Sequence, residues 1–110
     1  MADLRYTYLA SPYTHPDSYV RELRFKAACA VAAKLMLAGE IVFCPIAHSH
    51  PIDLCFDSPA PGAFWKLQDY PFIAGAARVK VLRLEGWDSS RGVLAEITFA
   101  KEHNIPVEFI

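Results

Sequence analysis

The sequence predicts an α/β domain in which helices flank a parallel sheet, and three observations support this fold class. Short apolar stretches recur along the 110 residues, and longer segments with helical spacing of apolar residues separate them. Gly and Pro residues stand where these segments meet. Strands that alternate with helices favour parallel pairing through right-handed crossovers. A chain of this length supports one domain, which we assign to residues 1–110.

Four segments are predicted to be strands. The first, 4–10, is rich in Tyr and Leu and meets the turn signal Ser11-Pro12, whereas the others are short apolar runs at 41–46, 79–84 and 107–110. We therefore expect four to five strands in the flavodoxin-like order 2-1-3-4. Ligands of such sheets bind beyond the carboxyl ends of the strands, where the strand order reverses. The loops 10–15 and 85–92 should converge there.

Three segments are predicted to be helices. Residues 18–38 are amphipathic and end at Gly39, a typical C-terminal cap, and residues 92–103 form a second amphipathic pattern. Residues 63–77 can form a helix that we expect to be interrupted near Pro71. The Pro-rich, His-containing stretch after the second strand is predicted to be a loop.

Composition excludes several classes of function. A net charge of -1 leaves no basic surface for a nucleic acid polymer. No apolar run approaches the roughly 20 residues that span a bilayer, and no signal peptide is recognisable, so we expect no membrane association and a cytoplasmic location. The cysteines are three in number with no paired spacing, which predicts reduced thiols.

Glu96 stands out in the last predicted helix. It lies three residues after Val93 and four before Ala100, within the apolar stripe of that helix. Carboxylates are rarely buried without a partner. Glu96 therefore either bends toward the rim or is held inside for a chemical purpose, with a raised pKa.

The loop before this helix offers two interpretations. Residues 86–92 contain small and hydroxyl-bearing side chains, among them Asp88, Ser89 and Ser90. Each of these three could simply cap the helix. The free backbone N–H groups of a helix N-terminus could also receive an anion such as a phosphate.

Two motifs resemble the signatures of the nucleoside 2-deoxyribosyltransferase superfamily. They are Tyr8-Leu9-Ala10-Ser11-Pro12-Tyr13 near the start and Ser90-x-Gly92-x-x-x-Glu96 near the end. The intervening His-Ser-His-Pro-Ile, Trp65 and Asp69 are similar to a bacterial and phage branch of that superfamily. The resemblance covers nearly the whole chain.

The resemblance implies roles for three catalytic residues. Glu96 would attack the anomeric carbon of a nucleoside and form a glycosyl-enzyme intermediate, and Tyr8 would orient its carboxylate. Asp69 would manage the proton of the departing base. The reaction implied is cleavage of an N-glycosidic bond in a small-molecule nucleoside or nucleotide, without a cofactor.

Ser90 favours one branch of the superfamily. The transferases resemble Asp-x-Gly at this position, whereas the 5'-monophosphate hydrolases resemble Ser-x-Gly. An aspartate would repel a phosphate dianion that a serine can bind. The resemblance therefore assigns Ser11, Ser90 and the Gly92 amide to a phosphate, with Pro12 in the same binding loop. Asp88 is assigned to the substrate site as well.

The remaining candidates keep alternative interpretations. His48 and His50 either form hydrogen bonds within their loop or contact the sugar or phosphate. Their spacing to Cys44 and Cys55 fits no standard zinc site, so we assign no metal. Trp65 either stacks on the base or packs in the core.

Position 77 departs from the pattern of the relatives. The superfamily often has Asp just before the third strand, where this chain has Ala77. The resemblance places that acid at base recognition. Two other functions stay open from the residues alone: a base-exchanging transferase and a non-catalytic nucleotide-binding module. Relatives also lead us to expect a homo-oligomer, a dimer or tetramer.

Overall fold

A four-stranded parallel sheet forms the centre of the protein. The computed structural model describes residues 4–110, so the first three positions of the assigned domain lie outside the described residues. The strands are β1 (Thr7–Ala10), β2 (Val42–Phe43), β3 (Arg78–Val81) and β4 (Val107–Phe109). Their order is β2-β1-β3-β4, and every pair is parallel. The predicted fold class and the flavodoxin-like order are confirmed.

Four helices cover the two faces of this sheet. They are α1 (Ser18–Leu37), α2 (Pro45–Asp53), α3 (Gly62–Ala74) and α4 (Arg91–Glu102), and a 3-10 turn at Trp87–Ser89 precedes α4. Within the part of the chain that the structure describes, none of them is both long and apolar enough to cross a membrane.

Alternation along β1 divides the core into two parts. Leu9 faces α1 and α2 and packs with Ala28, Cys44 and Ile46. Tyr8 and Ala10 face the other side, where a larger cluster includes residues of α3, β3 and α4. All four residues of β1 are buried because the strand is central and covered on both faces. The strand therefore holds its side chains in fixed positions.

The second strand and the histidine-containing loop differ from their prediction. The strand stops at Phe43, and residues 45–53, which include His48 and His50, form α2. Pro45 has no N–H for a sheet, but its fixed φ suits the first turn of a helix. Cys44 before it is extended, with φ -107° and ψ 101°, as residues before proline usually are.

The prediction that the helix is interrupted near Pro71 is also wrong, because α3 continues through Pro71 to Ala74. Proline removes one helical hydrogen bond. Packing on either side offsets this loss: Tyr70 stacks on Phe99 of α4 at 4.2 Å between ring centroids, and Phe72 stacks on Phe43 at 4.3 Å. Tertiary contacts thus override the local preference.

Substitution of Ile73 tests how far α3 depends on the core beneath it. The side chain is fully buried in the cluster of Tyr8, Val79 and Val93. Ile73→Ala should lower the free energy of unfolding by about 2–5 kcal/mol, since it removes buried methyl groups and leaves a cavity. Urea denaturation monitored by circular dichroism measures the change. Leu67→Ala on the same helix is the control, because Leu67 is 79% exposed; equal losses for both variants would contradict the assignment.

Candidate active site

A cavity of about 610 Å³ opens at the carboxyl ends of the strands. The loop after β1 contributes Ser11, α2 and α3 contribute one wall each, and the start of α4 contributes Ser90. Trp65, Asp69 and Glu96 line it as well. The two loops predicted to converge after β1 and β3 therefore do so, as expected for this strand order.

Tyr8 meets Glu96, which lines this cavity. Tyr8 is fully buried on β1, and its hydroxyl donates a hydrogen bond to Oε2 of Glu96. Glu96 is partly buried between Val93 and Ala100, which anchor α4 to the sheet. Burial first, then the nearby Glu96 charge, raise the pKa of Tyr8 well above 10. The Tyr8 hydroxyl thus remains a proton donor, and it binds only one of the two carboxylate oxygens.

The environment of Glu96 disfavours its charged form. Burial raises the pKa of Glu96 to about 8, and the Asp69 charge adds to this, while the hydrogen bond from Tyr8 opposes it. Burial also raises the pKa of Asp69, to about 6. Two carboxyl groups with raised and different pKa values therefore share one cavity. Between about pH 6 and 8 the pair retains one proton, an arrangement typical of acid–base chemistry.

Small polar groups gather where α4 begins. Ser90 is the N-cap of α4, and its hydroxyl accepts a hydrogen bond of 3.3 Å from the Val93 amide, so the capping interpretation is correct. Ser90 lines the cavity at the same time, together with Gly92. Ser11 is 5% exposed, and within residues 4–110 its Oγ finds no hydrogen-bond partner. Buried hydroxyls are usually paired, so this oxygen is available to a ligand.

A second polar wall comes from α1 and α2. His50 is buried, and its Nδ1 lies 2.6 Å from the Tyr13 hydroxyl while its Nε2 lies 2.7 Å from Oε2 of Glu22. Phe25 stacks on the imidazole at 4.3 Å. Asp53, one turn after His50 and 8% exposed, lines the cavity beside Tyr13.

The predicted site residues did not include Tyr13, Glu22 or Asp53. The spacing of His50 and Asp53, three residues apart, would have placed both on one helix face, had residues 45–53 been recognised as a helix. The contact between Glu22 and His50 has no sequence signal, because 28 positions separate them.

Three predicted binding residues lie outside the lining of the cavity. Pro12 is fully buried beneath the loop. Asp88 is exposed in the 3-10 turn. His48 is exposed on α2, its ring lies 5.9 Å from that of Phe43, and it borders a smaller cavity of about 120 Å³. Pro12 and Asp88 are thus separate from the cavity of Glu96 and Ser90, whereas His48 shares the smaller cavity with Asp69.

Trp65 and Ala77 occupy different ends of the molecule. Trp65 both lines the cavity and packs against Phe64 and Phe56, so its two interpretations are compatible. Ala77 lies at the amino end of β3, where its amide donates to the Tyr6 carbonyl at 2.8 Å. The cavity is at the carboxyl end of the strands, and Ala77 does not line it. An acid at position 77 would therefore not border this cavity, contrary to what the resemblance implied.

The three cysteines are free, and within residues 4–110 no three His, Cys, Asp or Glu side chains are grouped so that they could hold a metal ion. The polar groups that line the cavity instead include three carboxyl groups, four serine hydroxyls and the hydrogen-bonded pair of Tyr13 and His50, which Glu22 extends to α1. This set suits proton transfer and the binding of a polar organic ligand.

The raised pKa of Glu96 predicts how stability depends on pH. Between pH 4.5 and about 8 the folded protein holds a proton that the unfolded chain has released, so the free energy of unfolding falls as pH rises through this range. Glu96→Gln abolishes this titration. From pH 5 to pH 9 the variant should gain about 2 kcal/mol relative to the natural chain, with allowance for solvent screening.

Chemical denaturation at both pH values measures this difference. Glu108→Gln, which replaces an exposed carboxylate on β4, is the matched control and should show no such gain. A stability difference between Glu96→Gln and the natural chain that stays constant with pH would show that Glu96 is charged throughout.

Comparison with known proteins assigns the chain to a family. No curated protein matches it. One family profile matches residues 5–110, which include β1 with Tyr8 and α4 with Glu96, so the cavity lies within the matched region. The chain therefore belongs to the family described as the domain of unknown function DUF1937.

Proposed function

We propose that this protein hydrolyses the N-glycosidic bond of (deoxy)nucleoside 5'-monophosphates, with Glu96 as the nucleophile. The observation that carries the proposal is the hydrogen bond from Tyr8 to Glu96, which lines one cavity together with Asp69. The resemblance of both motifs to the nucleoside 2-deoxyribosyltransferase superfamily supports it. A cavity of about 610 Å³ is within the range that accommodates small ligands.

In the first step, the carboxylate of Glu96 attacks the anomeric carbon of the sugar. The bond between that carbon and the base nitrogen breaks, and its electron pair leaves with the base. The Asp69 carboxyl transfers its proton to the base, so that the base departs as a neutral molecule. A glycosyl ester of Glu96 and an ionised Asp69 result.

Tyr8 makes this attack possible by orienting the nucleophile. Its hydroxyl binds Oε2 of Glu96, so Oε1 is left for the anomeric carbon. The hydrogen bond also lowers the pKa of Glu96 against the effect of burial, which favours the ionised form that reacts. The developing positive charge on the sugar favours the same form.

In the second step, water resolves the intermediate. The ionised Asp69 accepts a proton from the water, whose oxygen bonds to the anomeric carbon while the ester bond to Glu96 breaks. Glu96 is released as a carboxylate, and Asp69 is protonated again. The products are a free base and a sugar 5-phosphate, and no proton is gained or lost by the enzyme.

Three features support a phosphate at the start of α4. The buried Ser11 hydroxyl lacks a partner in the described chain, Ser90 lines the cavity, and the helix N-terminus favours an anion. A Cβ at Gly92 would meet only Ser90 Oγ, at 3.9 Å, so no protein atom requires glycine there. Close approach of a ligand to this backbone is a reason for glycine. Arg91, exposed at the cavity, adds positive charge.

The first test is a screen for base release. Purified protein is incubated with ribo- and deoxynucleoside 5'-monophosphates and, separately, with deoxynucleosides plus a second free base, and the products are separated by chromatography. We expect free base and sugar phosphate from the monophosphates. Glu96→Ala should lower the rate at least about 10³-fold, because it removes the nucleophile, and Tyr8→Phe about 10–100-fold, because it removes only the orienting hydrogen bond.

Glu102→Ala is the matched control for this screen, since it removes an exposed carboxylate from the end of the same helix, and its rate should stay within about twofold. Exchange of bases without hydrolysis would replace the proposal with a transferase. Nucleotide-dependent thermal stabilisation without any base release would indicate a binding module instead.

The pH dependence of kcat/KM is the second test. Attack needs Glu96 ionised and departure of the base needs Asp69 protonated, so the pair must hold one proton. The pKa values put this proton mainly on Glu96, so the reactive form is the minor form of the singly protonated pair. Activity should fall below about pH 6, where both groups are protonated, and above about pH 8, where neither is. Initial rates between pH 5 and 9.5 measure the profile.

The alkaline limb is the more diagnostic half of the profile, because the substrate phosphate is already a dianion there. Asp69→Asn should remove this limb and lower the maximum rate, since the amide cannot supply a proton. A rate that rises steadily to pH 9.5 in the natural chain would contradict the use of a protein acid.

A further inference from the structure

Three side chains form a hydrogen-bonded chain from the protein surface to the cavity. Glu22 on α1 is the outer member, with 43% of its side chain exposed, and its Oε2 lies 2.7 Å from Nε2 of His50. His50 is 4% exposed, and its Nδ1 lies 2.6 Å from the hydroxyl of Tyr13, which lines the cavity. The mechanism above uses none of these residues.

These hydrogen bonds determine the direction in which the Tyr13 hydroxyl donates its proton. A carboxylate can only accept, so the hydrogen of a neutral imidazole is on Nε2, toward Glu22. Nδ1 is then an acceptor, and the Tyr13 O–H must donate to it. The Tyr13 oxygen then has two lone pairs; the Arg21 guanidinium is near enough to donate to one, and the other is left for the cavity. Burial, followed by the Asp53 charge, raises the pKa of Tyr13, so its proton is retained.

Asp53 adds a second acceptor beside Tyr13. It lies one turn after His50 on α2, is 8% exposed and lines the same cavity. Its Oδ1 accepts a long hydrogen bond of 3.4 Å from the Ala60 amide. A carboxylate can accept about four hydrogen bonds, so this long contact uses only a small part of its capacity. This wall therefore offers acceptors to a ligand that has donors.

We infer that Tyr13 and Asp53 bind the hydroxyl groups of the substrate's sugar, with His50 and Glu22 as positioning residues that fix the Tyr13 hydroxyl as an acceptor. The inference rests on the proposed function and deepens it, because it names the residues that recognise the sugar. It assigns selectivity between sugars with and without a given hydroxyl to these residues.

The arrangement of the cavity favours the sugar over the other parts of a nucleotide. Asp53 would repel a phosphate, which is better placed at the helix N-terminus near Ser90. Tyr13 follows Ser11 by two residues, so their Cα atoms are at most about 7 Å apart, and both residues line the same cavity. In a nucleotide the 3'-hydroxyl is near the 5'-phosphate, and the 2'-hydroxyl is on the carbon next to the one that bears the base and that Glu96 attacks.

Binding measurements on sugar variants test the inference. The four common ribonucleoside 5'-monophosphates and their 2'-deoxy and 3'-deoxy analogues are titrated calorimetrically at pH 8 into the Glu96→Ala protein, which consumes no ligand. We expect loss of one hydroxyl to weaken binding about five- to tenfold, as for one hydrogen bond. Adding Tyr13→Phe should weaken binding of the ribonucleotides by a similar factor. It should also abolish the difference in affinity between the ribonucleotides and the analogue that lacks the hydroxyl bound by Tyr13.

Several outcomes would overturn the inference. Equal affinity for all three sugars in the Glu96→Ala protein would do so. So would an equal loss of affinity for all three on Tyr13→Phe, or a difference in affinity between the sugars that Tyr13→Phe leaves unchanged. A Tyr13 effect restricted to adenine, guanine and cytosine, which have amino groups, and absent for uracil would place the base at this wall instead. These results would leave the proposed function intact, whereas a failure of every nucleotide to bind would overturn both.

Variants of Glu22 separate positioning from simple structural support. Glu22→Gln keeps an oxygen that accepts a hydrogen bond from Nε2 of His50, whereas Glu22→Ala removes this acceptor. Residue 22 does not line the cavity, so neither substitution changes a direct contact with the ligand. We measure discrimination as the ratio of the Kd values of the deoxy analogue and the ribonucleotide. In the Glu96→Ala background, we expect Glu22→Ala to lower this ratio about threefold and Glu22→Gln to keep it within twofold of the Glu96→Ala parent. Equal discrimination in parent and Glu22→Ala would overturn the positioning function. This comparison also decides the matter if Tyr13→Phe fails to fold.

Discussion

The hydrogen bond between Tyr8 and Glu96 joins the central strand to the last helix, and the rest of the site is arranged around it. A fully buried tyrosine needs a partner for its hydroxyl, and a carboxyl group inside a protein needs a donor. Each satisfies the requirement of the other. The bond forms because Tyr8 faces α4 from the middle of β1, while Val93 and Ala100 hold Glu96 against the sheet.

Charged groups elsewhere in the molecule show what is unusual about this cavity. Glu40, which precedes β2, accepts hydrogen bonds from Lys80 at 2.8 Å and from Thr7 at 3.2 Å, and these contacts lower its pKa. For Glu96 and Asp69 the largest influence is burial, which raises the pKa of both. The first arrangement stabilises a charge, whereas the second keeps protons available near neutral pH. This contrast is a physical reason to place chemistry at the carboxyl end of the strands.

The two faces of the sheet contribute different walls to one cavity. The face covered by α3 and α4 contributes Asp69 and Glu96, which we propose to act on the glycosidic bond. The face covered by α1 and α2 contributes the chain of Glu22, His50 and Tyr13. The strand β1 supplies residues to both cores and so connects the two walls. A substrate between them would contact reactive groups on one side and acceptors on the other.

The sequence by itself determined the elements whose signals are local. Apolar runs, capping residues and the alternation of strands with helices predicted the sheet order, the convergence of the two loops, and a carboxylate turned inward at Glu96. Only the tertiary structure decided that residues 45–53 form a helix, that α3 continues through Pro71, and that His50 pairs with Glu22. The reason is physical: these outcomes depend on packing between segments far apart in the chain, which local propensity and spacing do not encode.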